Sequence, residues 1–136
     1  MTVVVDASTV VAALIDSGPD GQWAEQFLGA GDLAAPHLMP VEVTNILRRS
    51  ALKGLVSNDV AALALADLGE IRVEFFEFAP FASRVWELRD NLTSYDAWYV
   101  ALAEAVSAPV ATLDDRLSRA AGPRCGFLTP PTARGS

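Results

Sequence analysis

Thr2-Val3-Val4-Val5-Asp6-Ala7-Ser8 is the stretch whose reading decides the fold. Its first four residues are a continuous β-branched run, the pattern of a short strand buried on both faces of a parallel sheet. The run stops at Asp6, and Ser8 is the expected cap of a helix that continues to about residue 15, where Gly18-Pro19 follows. An acid directly after a buried strand stands where open parallel sheets bind ligands, beyond the carboxyl ends of the strands.

The same alternation continues outward. Residues 22–28 read as a second helix, with Trp23, Phe27 and Leu28 at helical spacing, and 33–35 as a weak second strand. Pro40 opens a strong helix to about Lys53, with Val43, Ile46 and Leu47 inward and Arg48, Arg49 and Lys53 outward. Ser57 caps an apolar helix over 60–68, and residues 71–78 alternate as a third strand. A helix is expected from Pro80 to about Asn91, packed through Trp86 and Leu88, and another from a Thr93 or Ser94 cap to about Val106. Residues 110–113 are the fourth strand, 116–121 a short helix and 126–128 a fifth strand. Helices between short strands throughout predict an α/β fold of three layers, a short parallel sheet with helices on both faces. The expected domain spans residues 1–129, and 130–136, with Pro130-Pro131 and a polar end, reads as a loose tail.

Composition bounds the chemistry. With 136 residues, 51% of them apolar and 20% charged, the chain is long enough for a real core and is not of the disordered class. No apolar run approaches the roughly 18 residues of a membrane span, and no basic n-region precedes the apolar start as in a secretory signal. One cysteine, Cys125, makes no internal disulfide and fits a reducing cytoplasm. The net charge of −7 argues against broad electrostatic attraction to nucleic acid or anionic membranes, though not against a local basic rim. It suits a basic protein partner. With one histidine, His37, and one cysteine, a zinc site of His/Cys type is excluded, so a metal here would be held by oxygen, which points to Mg2+ or Mn2+.

Four acids carry the functional signal. Asp6 and Asp114 close apolar runs, while Glu42 and Asp96 sit in the first turns of helices. If the first and fourth strands are neighbours, all four face one crevice. Their mutual repulsion then costs several kcal/mol unless a divalent cation fills the space. Such a cation activates water and stabilises charge on a phosphoryl oxygen, the chemistry of a metal-dependent hydrolase. Taken singly, each acid also fits a structural role: Glu42 and Asp96 favour a helix dipole, Thr93 with Asp96 has the shape of a capping box, and Asp6 and Asp114 suit turns. Asp115 either supports Asp114 or caps the helix starting at Arg116.

Four segments together resemble the motifs of PIN-domain ribonucleases, specifically the VapC toxins of bacterial toxin–antitoxin pairs. They are Val3-Val4-Val5-Asp6-Ala7-Ser8, Val41-Glu42-Val43-Thr44-Asn45-Ile46-Leu47, Thr93-Ser94-Tyr95-Asp96-Ala97-Trp98-Tyr99 with the Val100-Ala101-Leu102-Ala103 that follows, and Ala111-Thr112-Leu113-Asp114-Asp115-Arg116-Leu117. Their order and spacing hold across nearly the whole chain. The resemblance implies that Asp6, Glu42, Asp96 and Asp114 bind metal, one ion or two, and that Ser8, Asn45 and Thr112 support them by hydrogen bonds. It implies endonucleolytic cleavage of RNA, a homodimer, and inhibition by a cognate VapB-like antitoxin lying across the groove. Arg48, Arg49, Lys53, Arg116 and Arg119 are candidates for contact with RNA phosphates, and any single one of them reads more readily as part of a solvated helix face. Tyr99, one turn from Asp96, lines the pocket or packs the core. Trp23, Phe27 and the 60–68 helix supply apolar surface for a dimer or a partner.

Two other readings compete. A phosphoacceptor domain also gathers aspartates at strand ends, but it wants a lysine on a late strand, and the single lysine, Lys53, is in a helix. A catalytically silent PIN-like module would tolerate loss of an acid, and all four are present.

Overall fold

The computed structural model describes residues 1–131; the expected tail from residue 132 onward lies outside them. In chain order the elements are β1 (Thr2–Val5), α1 (Ala7–Ile15), α2 (Pro19–Ala30), β2 (Asp32–Pro36), α3 (Met39–Leu52), α4 (Asn58–Glu70) and β3 (Glu74–Phe76). A 3-10 turn at Ala79–Phe81 leads into α5 (Ala82–Glu87), followed by α6 (Ser94–Ala105), β4 (Val110–Ala111), α7 (Asp115–Ser118) and β5 (Phe127–Leu128).

The five strands form one sheet in the order β3-β2-β1-β4-β5, every pair parallel. β1 is therefore central, and the chain leaves it first toward β2 and later toward β4. The reversal lies between β1 and β4, whose register sets Val4 opposite Val110 and Val5 opposite Ala111. That is the crevice where a parallel sheet of this kind exposes a ligand site. Val3, Val4 and Val5 are buried together with Val10, Leu33, Met39, Val43, Leu102 and Val110. α1 packs against α2, α3 and α4, while α6 lies on β1, β2 and β4 and carries α5. A second apolar cluster of Val85, Leu88, Ala97, Val100, Ala101 and Leu117 joins α5, α6 and α7. Among the described residues, no helix is long and apolar enough to cross a membrane.

Several boundaries differ from the sequence reading, each for a local reason. Asp6, not Ser8, caps α1: its Oδ1 accepts the Thr9 N–H at 3.0 Å, and Ser8 lies inside the helix. α2 begins at Pro19, three residues earlier than expected, because proline suits a first turn where no N–H is required. An added Cβ on Gly21 would lie 1.7 Å from the Asp16 carbonyl oxygen, so only glycine permits α2 to turn back this closely on α1. The third strand is only Glu74–Phe76, since Ile71 is spent ending α4, where its N–H bonds Leu68 O. β4 stops at Ala111, and Thr112 begins the turn that carries Asp114. The helix expected after Pro80 is shorter and starts as a 3-10 turn. Leu88 is buried as expected, but Trp86 is 67% exposed, with the Arg89 guanidinium 4.5 Å from its ring centroid.

One buried hydrogen bond fastens the first helix to the far strand: Thr9 Oγ1 donates to Ala111 O at 2.8 Å. Ala111 O also accepts the Asp6 N–H, so removing the hydroxyl orphans no carbonyl. Thr9→Val is therefore expected to cost about 1 kcal/mol, read as a lowered urea midpoint with an unchanged denaturant slope.

Candidate active site

The carboxylate of Asp6 is 7% exposed at the floor of the β1–β4 crevice and is held from three sides. Oδ1 accepts Ser8 Oγ at 2.7 Å and the Thr9 N–H at 3.0 Å, and Oδ2 accepts the Thr112 hydroxyl in a short hydrogen bond. Thr112 Oγ1 in turn accepts the Asp114 N–H at 2.9 Å, and Ser8 Oγ accepts the Leu113 N–H at 3.2 Å. The turn after β4 is thus built on the Asp6 cluster. Asp114 caps α7, its Oδ1 accepting the N–H groups of Arg116 and Leu117, so the cap is Asp114 and not Asp115, which is the first residue of α7.

Glu42 enters from the first turn of α3, and Asp96 from the first turn of α6, where Thr93 Oγ1 accepts the Asp96 N–H at 3.2 Å. Tyr99 is 2% exposed, yet its hydroxyl reaches Glu42 Oε1 at 2.6 Å. It belongs at once to the core and to the pocket. Helical spacing from Asp96 had suggested the pocket role, and a buried tyrosine hydroxyl needs a polar partner in any case.

These groups share one electrostatic field. Burial raises the Asp6 pKa above the ordinary carboxylate range, against the opposing hydrogen bonds from Thr112, Ser8 and Thr9. Glu42 is raised by burial, and by the negative charges of Asp96 and Asp6, while the Tyr99 hydroxyl opposes the shift. Asp96 is raised by burial and then by Asp114 and Asp6, with Thr93 and the Arg116 guanidinium acting the other way. The Tyr99 hydroxyl is pushed far up by burial, and then by its bond to Glu42 and the surrounding carboxylates, so it stays a proton donor. Beside Asp96 and Asp114 opens a cleft of about 360 Å3, lined also by Asn91, Leu92, Thr93, Arg116 and Leu117.

The family profile of the PIN domain matches residues 3–123. The chain belongs to the PIN-domain family. It is 38% identical over 129 residues to ribonuclease VapC9 of Mycobacterium tuberculosis, covering 95% of this chain and 98% of that one, which makes it a PIN domain of the VapC ribonuclease type. Among solved structures, PAE2754 from Pyrobaculum aerophilum superposes with a TM-score of 0.70 at 26% identity, covering 93% of this chain and 83% of that one. VapBC2 from Rickettsia felis, solved with a DNA fragment from its promoter, has a TM-score of 0.68 at 17% identity over 95% of this chain and 98% of that one, a likeness of fold.

Within this PIN domain, the four acids named from the sequence converge on one crevice, and Ser8 and Thr112 support Asp6 as expected. Asn45 does not join them: it is exposed on α3 and none of the hydrogen bonds at the acids involves it. Of the candidate cations, Arg116 lies close enough to act on Asp96. Arg48 instead borders a shallow apolar groove between α3 and α4, and neither it nor Arg49 acts on the acids. Thr9 was missed by the sequence reading. Its role rests on a contact 102 positions away, for which the local sequence carries no signal.

Among the described residues, no three of these carboxylates form a ready-made ligand cage. Magnesium keeps several waters and takes one or two carboxylates directly, so the remaining acids act through water. The all-oxygen donor set, with carboxylates raised by burial and then by one another's charge, suits a hard divalent cation. Asp114 Oδ2 takes no part in the cap, which leaves it available.

The raised acids make stability depend on pH in a definite direction. Between the ordinary carboxylate value of about 4 and the raised folded values, the folded chain holds protons that the unfolded chain has lost. Stability is therefore present below that window and falls as pH rises through it. The metal-free protein is expected to melt a few degrees higher near pH 5 than near pH 7.5, and added Mg2+ or Mn2+ at the higher pH should close the gap. A melting temperature that is flat with pH and indifferent to metal would contradict this account.

Proposed function

We propose that this PIN domain is the toxin of a toxin–antitoxin pair, a Mg2+- or Mn2+-dependent endoribonuclease hydrolysing RNA phosphodiester bonds in the cytoplasm. The observation that carries the reading is the gathering of Asp6, Glu42, Asp96 and Asp114 at the β1–β4 switch point, where they act on one another and Arg116 offsets Asp96. The likeness to ribonuclease VapC9 over nearly the whole chain supports the same chemistry.

In this reading Asp6 and Asp96 hold the main ion, and Glu42 and Asp114 complete its surroundings through water or bind a second. The bound cation supplies Lewis acidity for the attacking water and for charge on the phosphoryl oxygen. The chain's own residues supply position. Ser8, Thr9 and Thr112 fix the Asp6 carboxylate against rotation, and Tyr99 fixes Glu42. Arg116, exposed at the mouth of the site, offers a charged donor for a phosphate of the RNA.

A VapB-like antitoxin is the proposed inhibitor, with a homodimer as the assembly that carries it. The likeness to the toxin–antitoxin pair VapBC2 supports the partner. So does an exposed apolar face on α3, α4 and the turn between them, where Leu52, Leu55 and Leu63 are 72%, 74% and 66% exposed. Surface of that kind is costly in water and commonly marks a partner site. A basic antitoxin side chain could also replace the cation among the carboxylates.

Purified protein free of antitoxin is expected to cut a total-RNA pool when Mg2+ or Mn2+ is supplied, to fall silent with chelator, and to lose activity as Asp6→Ala. Equal cleavage by wild type and Asp6→Ala would remove the proposed site. Absence of both metal binding and cleavage would favour the silent module. Tyr99→Phe should fold normally and lower kcat by roughly tenfold with little change in KM, because it frees Glu42 without touching RNA.

A further inference from the structure

The cleft beside Asp96 and Asp114 extends past the carboxylates, and the rest of its lining is mixed, with Thr93 and Arg116 beside apolar side chains. Leu92, Leu117, Ala120 and Ala121 supply apolar patches, and Asn91 contributes a carboxamide. The Asn91 side chain has no hydrogen-bond partner among the described residues, so its donor and its acceptor are both unspent. The wall is also rigidly built. Glu104 accepts Arg84 Nε at 2.8 Å, Arg84 Nη2 at 3.0 Å and the Arg124 N–H at 2.7 Å, while Arg84 Nη2 donates to Gly122 O at 3.0 Å. This clamp holds the segment after α7 against α5 and α6. Gly122 has φ +109°, and an added Cβ there would stand 3.1 Å from Leu88 Cδ2 and 3.5 Å from Asn91 Nδ2.

We infer that this cleft seats an unstacked nucleobase flanking the scissile phosphodiester, and that Asn91 is a specificity-determining residue that reads the base edge. The inference rests on the endoribonuclease reading, because it needs RNA at the neighbouring acids. Apart from Arg116 the lining of the cleft carries no positive charge for a phosphate, whereas a neutral base needs none. Four apolar side chains set among polar ones, with the Asn91 amide between them, suit a flat heterocycle carrying a donor and an acceptor side by side, and the volume is of the order of small-ligand pockets, roughly 300 Å3 upward. A chain with net charge −7 gains little from the RNA backbone at large, so base contacts must carry much of the selectivity. Single-stranded RNA is recognised in this way, by splayed bases hydrogen-bonded on their edges. Arg116, lining the same cleft, is placed to take the phosphate next to that base.

The test is the cleavage of a randomised RNA pool by full-length wild type, Asn91→Ala and Asn91→Asp in Mg2+ or Mn2+, with cut sites read by sequencing. Wild type is expected to prefer particular bases at one position flanking the cut. Asn91→Ala should flatten that preference by about tenfold in relative kcat/KM. Asn91→Asp, which accepts only, should move it toward guanine, whose N1–H and N2 amino group both donate. Asn91 is exposed, and melting curves of both variants should overlay wild type. A changed rate with an unchanged base profile would assign Asn91 a merely structural part and overturn the inference, as would a wild type with no flanking preference. Either result leaves the ribonuclease reading intact. No metal-dependent cleavage by wild type at all would sink that reading, and the inference with it.

Discussion

A buried carboxylate with its full complement of donors is the constraint on which this molecule turns. Asp6 ends the central strand, caps the first helix and anchors the turn after β4 through Thr112. A charge removed from water must be paired or hydrogen-bonded, or it becomes neutral. Here the hydroxyls of Ser8 and Thr112 and the Thr9 N–H do that work, and each comes from an element that also shapes the site. The β1–β4 register, the start of α1 and the position of Asp114 thereby become one problem with one solution.

The crowding of acids around it runs against folding. Asp6, Glu42 and Asp96 all bind protons more readily than free carboxylates do, chiefly through burial. Such strain at a site is offset elsewhere, here by the apolar centre around β1 and by the second cluster joining α5, α6 and α7. The Arg84–Glu104 pair adds order on the side where the cleft is walled, its side chains 20% and 16% exposed.

Periodicity and strand-end chemistry were enough to read the parallel sheet, the order of elements and the four acids. Each of those signals is local: a β-branched run, a proline at a helix start, a Thr93 cap ahead of Asp96. What escaped was set by distant partners or by competition within one turn. Asp6 displaced Ser8 as the cap because a carboxylate one residue before the helix reaches the Thr9 N–H. Trp86 reads from the sequence as packing the helix after Pro80, but α5 turns it outward, where Arg89 covers its ring. Asn45 matched a motif, but α3 points it into solvent, while Tyr99 took the place beside Glu42. The Asn91 wall depends on a clamp between residues 20 and 38 positions apart, which no pattern of neighbours reveals.

The sheet order also governs when the site exists during synthesis. The first strand leaves the ribosome well before its neighbour β4, which follows about a hundred residues later, the Asp6–Thr112 contact spanning 106 positions. At roughly 5–20 residues per second that gap is several seconds or more of elongation. Throughout it Asp6 has no Thr112, no Asp114 and no Asp96 beside it for most of the way. A nascent chain therefore carries Asp6 without the crevice, and the RNA nearest to it, the message and the ribosome itself, faces no assembled site until β4 and the turn after it have emerged.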